Sequence, residues 1–140
     1  MRSGQRNGAM GGPLTHRRQG VAPRVLVVDD DPDILDALSE ILEVEGYDVQ
    51  RARNGREALQ RLEQEMPDLV LLDLMMPVMD GWEFARSLAP GARPPIIVLS
   101  ADRNVSAKAK EIGALGWLAK PFELSELLAA VRGAVPAETP

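Results

Sequence analysis

Three strongly apolar runs, Val25-Leu26-Val27-Val28, Leu69-Val70-Leu71-Leu72 and Ile96-Ile97-Val98-Leu99, are separated by stretches of helical periodicity. Runs of four apolar residues bounded by turn residues fit strands buried on both faces, and their alternation with helices predicts a parallel α/β sheet. After the first run, Pro32 opens a helix with Asp30 or Asp31 as its N-cap and Asp33 in its first turn. Ile34, Leu38, Ile41 and Leu42 give that helix one apolar stripe, and Gly46 stops it. Tyr47 to Arg51 is a weaker strand, expected at the sheet edge. Asn54-Gly55 starts a second helix carrying Ala58, Leu59 and Leu62. A loop from Leu74 to Gly81 leads into a short helix from Trp82 to about Leu88, closed by Pro90 and Gly91. A polar helix from Val105 to Ile112 ends at Gly113, and Leu115 to Ala119 forms a fifth strand. Leu124, Leu127, Leu128 and Val131 mark a last amphipathic helix. The pattern is (βα)5 over residues 23–135, flanked by a basic leader (1–22) and a short tail (136–140), both expected to be disordered.

Composition narrows the chemistry. With no cysteine and one histidine, His16, thiolate sites, iron–sulfur clusters and multi-histidine metal sites are excluded. No apolar stretch approaches the ~18 residues of a membrane span, and nothing resembles a secretory signal, so a cytoplasmic location is expected. Five arginines precede Asp29 with no acid among them; from Asp29 onward 11 basic residues face 21 acidic ones. That acidic balance argues against direct DNA binding by the folded part.

Strands one, three, four and five each end in a polar residue: Asp29 and Asp30, Asp73, Ser100, and Lys120. Taken singly, each has a plain structural role as an N-cap, a turn or a solvated loop. Together they fall at one edge of a parallel sheet, where ligands bind in such folds. Three converging carboxylates call for a cation, and oxygen donors without His or Cys suit Mg²⁺ with a phosphoryl oxygen. A lysine and a hydroxyl facing them could hold an anion's remaining oxygens.

The blocks VLVVDDDPDI, LVLLDLMMPVMDG, IIVLSA and GWLAKPF resemble, in order, those of response-regulator receiver domains over about Arg24 to Val135. The resemblance implies a flavodoxin-like three-layer fold with strand order 2-1-3-4-5, an order for which a receiver is the standard example. It implies that Asp73 accepts a phosphoryl group from a sensor histidine kinase or a histidine phosphotransfer protein. Mg²⁺ would be held by Asp29, Asp30, Asp73 and the backbone carbonyl of Met75. Lys120 and the Ser100 hydroxyl would contact the phosphate, and Trp117 stands at the switch-aromatic position. Met75 and Asp102 stand where side chains tune the lifetime of the acyl phosphate. Met76, Pro77, Asp80 and Gly81 match the family's loop pattern and read as loop-shaping residues; Trp82 and Phe84 read as packing residues.

Departures from the family pattern carry their own expectations. Trp117 is bulkier than the usual aromatic and should bury less completely, and the stretch from Ser100 to Lys120 is short, so the fourth helix or its preceding loop should be trimmed. Leu115-Gly116 replaces the acidic pair of the winged-helix DNA-binding branch, which argues against that dimer. The expected function is a phosphorylation switch acting on a downstream protein target rather than a turnover enzyme. A phosphorelay intermediate and a receiver fragment of a longer regulator or hybrid kinase use the same residues. A metal-dependent phosphatase or nucleotide-binding enzyme is disfavoured, because there is no P-loop, no G-x-G-x-x-G and no second acid two residues after Asp73.

Overall fold

A computed structural model describes residues 22–75, 81–88 and 93–136, with the backbone alone for 81 and 82. The leader to residue 21, Met76, Pro77, Asp80, Pro90, Gly91, the last four residues and the Trp82 side chain lie outside the described residues. Strands β1 (Arg24–Val28), β2 (Asp48–Ala52), β3 (Leu69–Asp73), β4 (Ile96–Ser100) and β5 (Gly116–Ala119) alternate with five helices. These are α1 (Pro32–Val44), α2 (Gly55–Gln64), α3 (Gly81–Arg86), α4 (Val105–Glu111) and α5 (Leu124–Ala134). The strands form one parallel sheet, as the pattern predicts, in the order β2-β1-β3-β4-β5 that the family resemblance implies.

Strand alternation divides the core in two. Leu26, Val28, Val70, Leu72, Ile96 and Val98 face α2, α3 and α4, meeting Ala58, Phe84, Val105 and Ala109. Val25, Val27, Leu69, Leu71, Ile97 and Leu99 face α1 and α5, meeting Leu35, Leu38, Leu42, Leu127 and Val131. Both faces of β1, β3 and β4 are therefore covered, which is why those strands are continuously apolar rather than alternating. Phe84 is fully buried, in keeping with a packing role.

Local chemistry sets the helix boundaries. The Asp31 carboxylate accepts the Asp33 N–H to cap α1, with Pro32 in the first turn. Asn54 caps α2 by accepting the Glu57 N–H at 2.9 Å. Glu123 and Glu126 form a reciprocal capping box at the start of α5. Gly46 (φ 100°) and Gly113 (φ 71°) take the left-handed conformation just past α1 and α4. At Gly113 a Cβ would also lie 2.6 Å from the Arg93 guanidinium, which bonds the Ile112 carbonyl.

Two details depart from the sequence reading. The second strand begins at Asp48, and Tyr47 lies before it, with its ring buried and its hydroxyl donating to the Val135 carbonyl at 2.7 Å. The residue that looked like an edge-strand aromatic is a peg joining the α1–β2 turn to the end of α5, beside the Arg132–Glu45 ion pair. Tyr47→Phe keeps the ring but leaves the Val135 carbonyl without its donor. It should cost about 1–2 kcal/mol in urea unfolding with an unchanged m-value.

Candidate functional site

The registers bring the strand ends together. Val28 pairs with Leu72, Asp73 with Leu99, and Ser100 with Ala119, so Asp29, Asp73, Ser100 and Lys120 arrive at one edge of the sheet. Asp29 is fully buried, Asp73 is 5% exposed, and Asp30 is exposed. Carboxylate oxygens of all three lie within 4.8 Å of one another. Lys120 Nζ sits 2.9 Å from Asp29 Oδ2 and 3.6 Å from Asp73 Oδ2, bridging two of the three acids.

Backbone donors fix the acids. The Asp31 N–H donates to Asp29 Oδ1 at 2.9 Å, and the Met75 N–H donates to Asp73 Oδ1 at 3.0 Å. Asp29 and Asp73 thus each offer one oxygen to the chain and one to Lys120. Burial pushes the Asp73 carboxyl up from 3.8 to about 6; the Met75 N–H and Lys120 oppose this, while Asp29 and Asp30 add to it. Burial pulls Lys120 down, but its bond to Asp29 and the charges of Asp73 and Asp29 outweigh that and hold it above its ordinary value.

Ser100 is fully buried at the end of β4; its Oγ accepts the Asp102 N–H at 3.1 Å, and its carbonyl accepts the Lys120 N–H at 2.8 Å. Met75 is 61% exposed beside Asp73. Trp117 is 46% exposed on β5, incompletely buried as its size suggests. Beside Lys120, Ile34, Ala37, Leu38, Ala101, Pro121 and Phe122 line an apolar groove of about 420 Å³.

Residues 25–132 match the response regulator receiver domain model, most of the chain. The chain belongs to the receiver domain family. Among its relatives, the response regulator MprA of Mycolicibacterium vanbaalenii is 44% identical over 120 residues, 84% of this chain and 52% of the relative. The transcriptional regulatory protein PdtaR of Mycobacterium tuberculosis is 40% identical over 129 residues, 90% of this chain and 63% of the relative. The chain thus spans between half and two thirds of the length of these curated relatives. Among solved structures, the chemotaxis protein CheY4 of Vibrio cholerae is 34% identical with a TM-score of 0.74, covering 81% of this chain and 98% of that one. The response regulator TrrA of Thermotoga maritima, solved in complex with Mg²⁺–BeF, is 35% identical with a TM-score of 0.73, covering 81% of this chain and 99% of that one.

In this receiver, the sequence reasoning found the acids, the lysine and the hydroxyl, because each ends a strand. It missed Lys108, whose Nζ pairs with the Asp102 carboxylate; only the spacing of six residues across a helix start could have suggested it. No helix among the described residues is long and apolar enough to cross a membrane.

The raised Asp73 carboxyl has a consequence for stability. The folded chain holds that proton more tightly than the unfolded chain, so its contribution is full below pH 3.8 and is lost as pH rises toward 6. In metal-free buffer at about pH 8, Asp73→Asn should therefore be more stable than the parent by about 3 kcal/mol, with most of the gain gone at about pH 4. Urea unfolding of both proteins at the two pH values checks this; an equal difference at both would refute it.

Proposed function

We propose that this receiver unit, over residues 23–135, accepts a phosphoryl group on Asp73 from the phosphohistidine of a sensor histidine kinase or histidine phosphotransfer protein. The observation that carries the reading is the juxtaposition of Asp29, Asp30 and Asp73 within 4.8 Å with Lys120 between two of them. Mg²⁺ fits this donor set of three carboxylates with no histidine or cysteine, and the backbone carbonyl of Met75, two residues after Asp73, would be its further oxygen ligand. When bound, the ion supplies positive charge that offsets the carboxylates and the phosphoryl oxygens and favours in-line attack.

The chain's own residues do the rest. An oxygen of Asp73 forms the new P–O bond as the P–N bond to the donor imidazole breaks, its electron pair returning to the ring nitrogen. Lys120, already bridging Asp29 and Asp73, shifts its ammonium toward the phosphoryl oxygens. The Ser100 hydroxyl turns to donate to another oxygen, and Trp117 moves inward into the space that opens. Met75 and Asp102 flank the path of the hydrolytic water and set the lifetime of the acyl phosphate. The apolar groove beside Lys120 gives a donor protein a surface on which to seat its phosphohistidine. The domain acts as a switch on a downstream protein target in the cytoplasm, not as a turnover enzyme, and its acidic balance argues against direct DNA binding by this domain.

Intact mass after incubation with Mg²⁺ and acetyl phosphate tests the reading. One added phosphoryl group is expected, absent after chelation and absent in Asp73→Asn. No addition to the unaltered chain under any of these conditions would overturn it.

A further inference from the structure

One residue joins the buried hydroxyl of Ser100 to the helix that follows it. The Asp102 N–H donates to Ser100 Oγ at 3.1 Å, and its carbonyl accepts the Val105 N–H at 3.2 Å. Its Oδ1 accepts the Asn104 N–H at 2.7 Å, and its Oδ2 accepts from Lys108 Nζ at 2.5 Å. All its hydrogen-bonding groups are thus engaged, on one side with the phosphorylation site and on the other with the start of α4. That helix has seven residues, and Asn104 at its N-cap makes no side-chain bond, so Asp102 takes the first N–H groups instead, Asn104's on its carboxylate and Val105's on its carbonyl. The Asp102 and Lys108 side chains are each 25% exposed, shielded enough for the pair to matter and open enough to break.

Among the described residues, no hydrogen bond links Ser100 Oγ to Asp73. Swinging the Ser100 hydroxyl toward a phosphoryl group on Asp73 draws Oγ away from the Asp102 N–H that it accepts at rest, and Asp102 is held where it is by Lys108. We propose that Lys108 is a positioning residue: through its ion pair with Asp102 it latches the Ser100 hydroxyl in the resting arrangement and so slows phosphoryl acceptance at Asp73. The latch rests on the receiver reading above and adds a regulatory residue to it. Linkage makes the effect reciprocal. Whatever draws the hydroxyl to the phosphoryl group loosens the pair and frees the first turn of α4, and whatever binds α4 and opens the pair speeds phosphorylation.

Asp102→Asn breaks the ion pair while keeping both backbone N–H contacts, and Lys108→Met breaks it while keeping the length of the stem. If the latched arrangement dominates at rest, the rate follows the fraction released. Each variant should then take up a phosphoryl group from acetyl phosphate and Mg²⁺ about threefold faster than the parent, the size of effect a part-exposed pair commands. The double variant should be no faster than either single one, and Lys108→Arg, which can restore the pair, should return to the parental rate. Initial rates by intact mass read all four. A merely structural role would lower stability in urea unfolding without accelerating phosphorylation and would overturn the proposal. So would slowing in Lys108→Met beside acceleration in Asp102→Asn, which would mean that Lys108 acts by shielding a charge. A parent chain that takes up no phosphoryl group overturns the receiver reading and the latch with it, whereas equal rates in parent and variants overturn the latch alone.

Discussion

Lys120 between Asp29 and Asp73 is the interaction on which the site depends. Asp29 ends β1 and Asp73 ends β3, and two adjacent buried carboxylates repel each other unless a cation lies between them. That cation comes from β5, on the far side of β4. Two strand spacings amount to about 10 Å, so a long, flexible stem is needed. The Ser100 carbonyl accepts the Lys120 N–H, setting the point from which the lysine reaches over. The strand order, the serine and the lysine are thus parts of one constraint.

The constraint is met incompletely, and the shortfall is chemically useful. One ammonium faces three carboxylates, so burial and mutual repulsion hold the Asp73 carboxyl near pH 6 rather than 3.8. A buried charge cluster of this kind does little for stability, because removing the charges from water offsets most of their attraction. It leaves a deficit of positive charge at the place where a divalent ion fits and where an anionic group would bring further oxygens. A divalent cation bound there would stabilise the folded chain and ready the acid in the same step.

The sheet and the site were legible because their determinants are local. Apolar runs buried on both faces can hardly be mistaken, and a polar residue ending each of four strands marks the binding edge by register alone. What escaped was set by contacts between distant positions. Tyr47 has the residue type of a strand, yet its place is fixed by Val135, 88 residues away. Arg24 reads as the start of β1, but its guanidinium ties Asp48 and Glu65 at the opposite end of the sheet from the site. Asp102 could be placed beside Ser100 by counting, but not the lysine that holds it, because that depends on how the turn before α4 folds Asp102 back over the helix. The spacing between Ser100 and Lys120 called for a trimmed fourth helix or preceding loop, and α4 has seven residues.

Strand parity carries the argument from the site to the surface. Ser100 lies two residues beyond Val98, so it points to the same face of the sheet, the face covered by α2, α3 and α4. Trp117 pairs with Val98 across the β4–β5 ladder and shares that face. Asp102 and Lys108 then connect Ser100 to α4, whose Val105 and Ala109 pack in the core cluster that contains Val98. Hydroxyl, ion pair, helix and exposed tryptophan therefore form one contiguous set on one side of the sheet. On the other side, α1 and α5 meet the site through the Asp31 cap and the Lys120–Pro121 end of β5, where the acids and the lysine are held rather than released. The fold thus separates a face that holds the charges from a face free to respond when those charges change. The proposed latch would carry a change at Asp73 to α4 by breaking contacts already present, which requires a much smaller rearrangement than building a new surface.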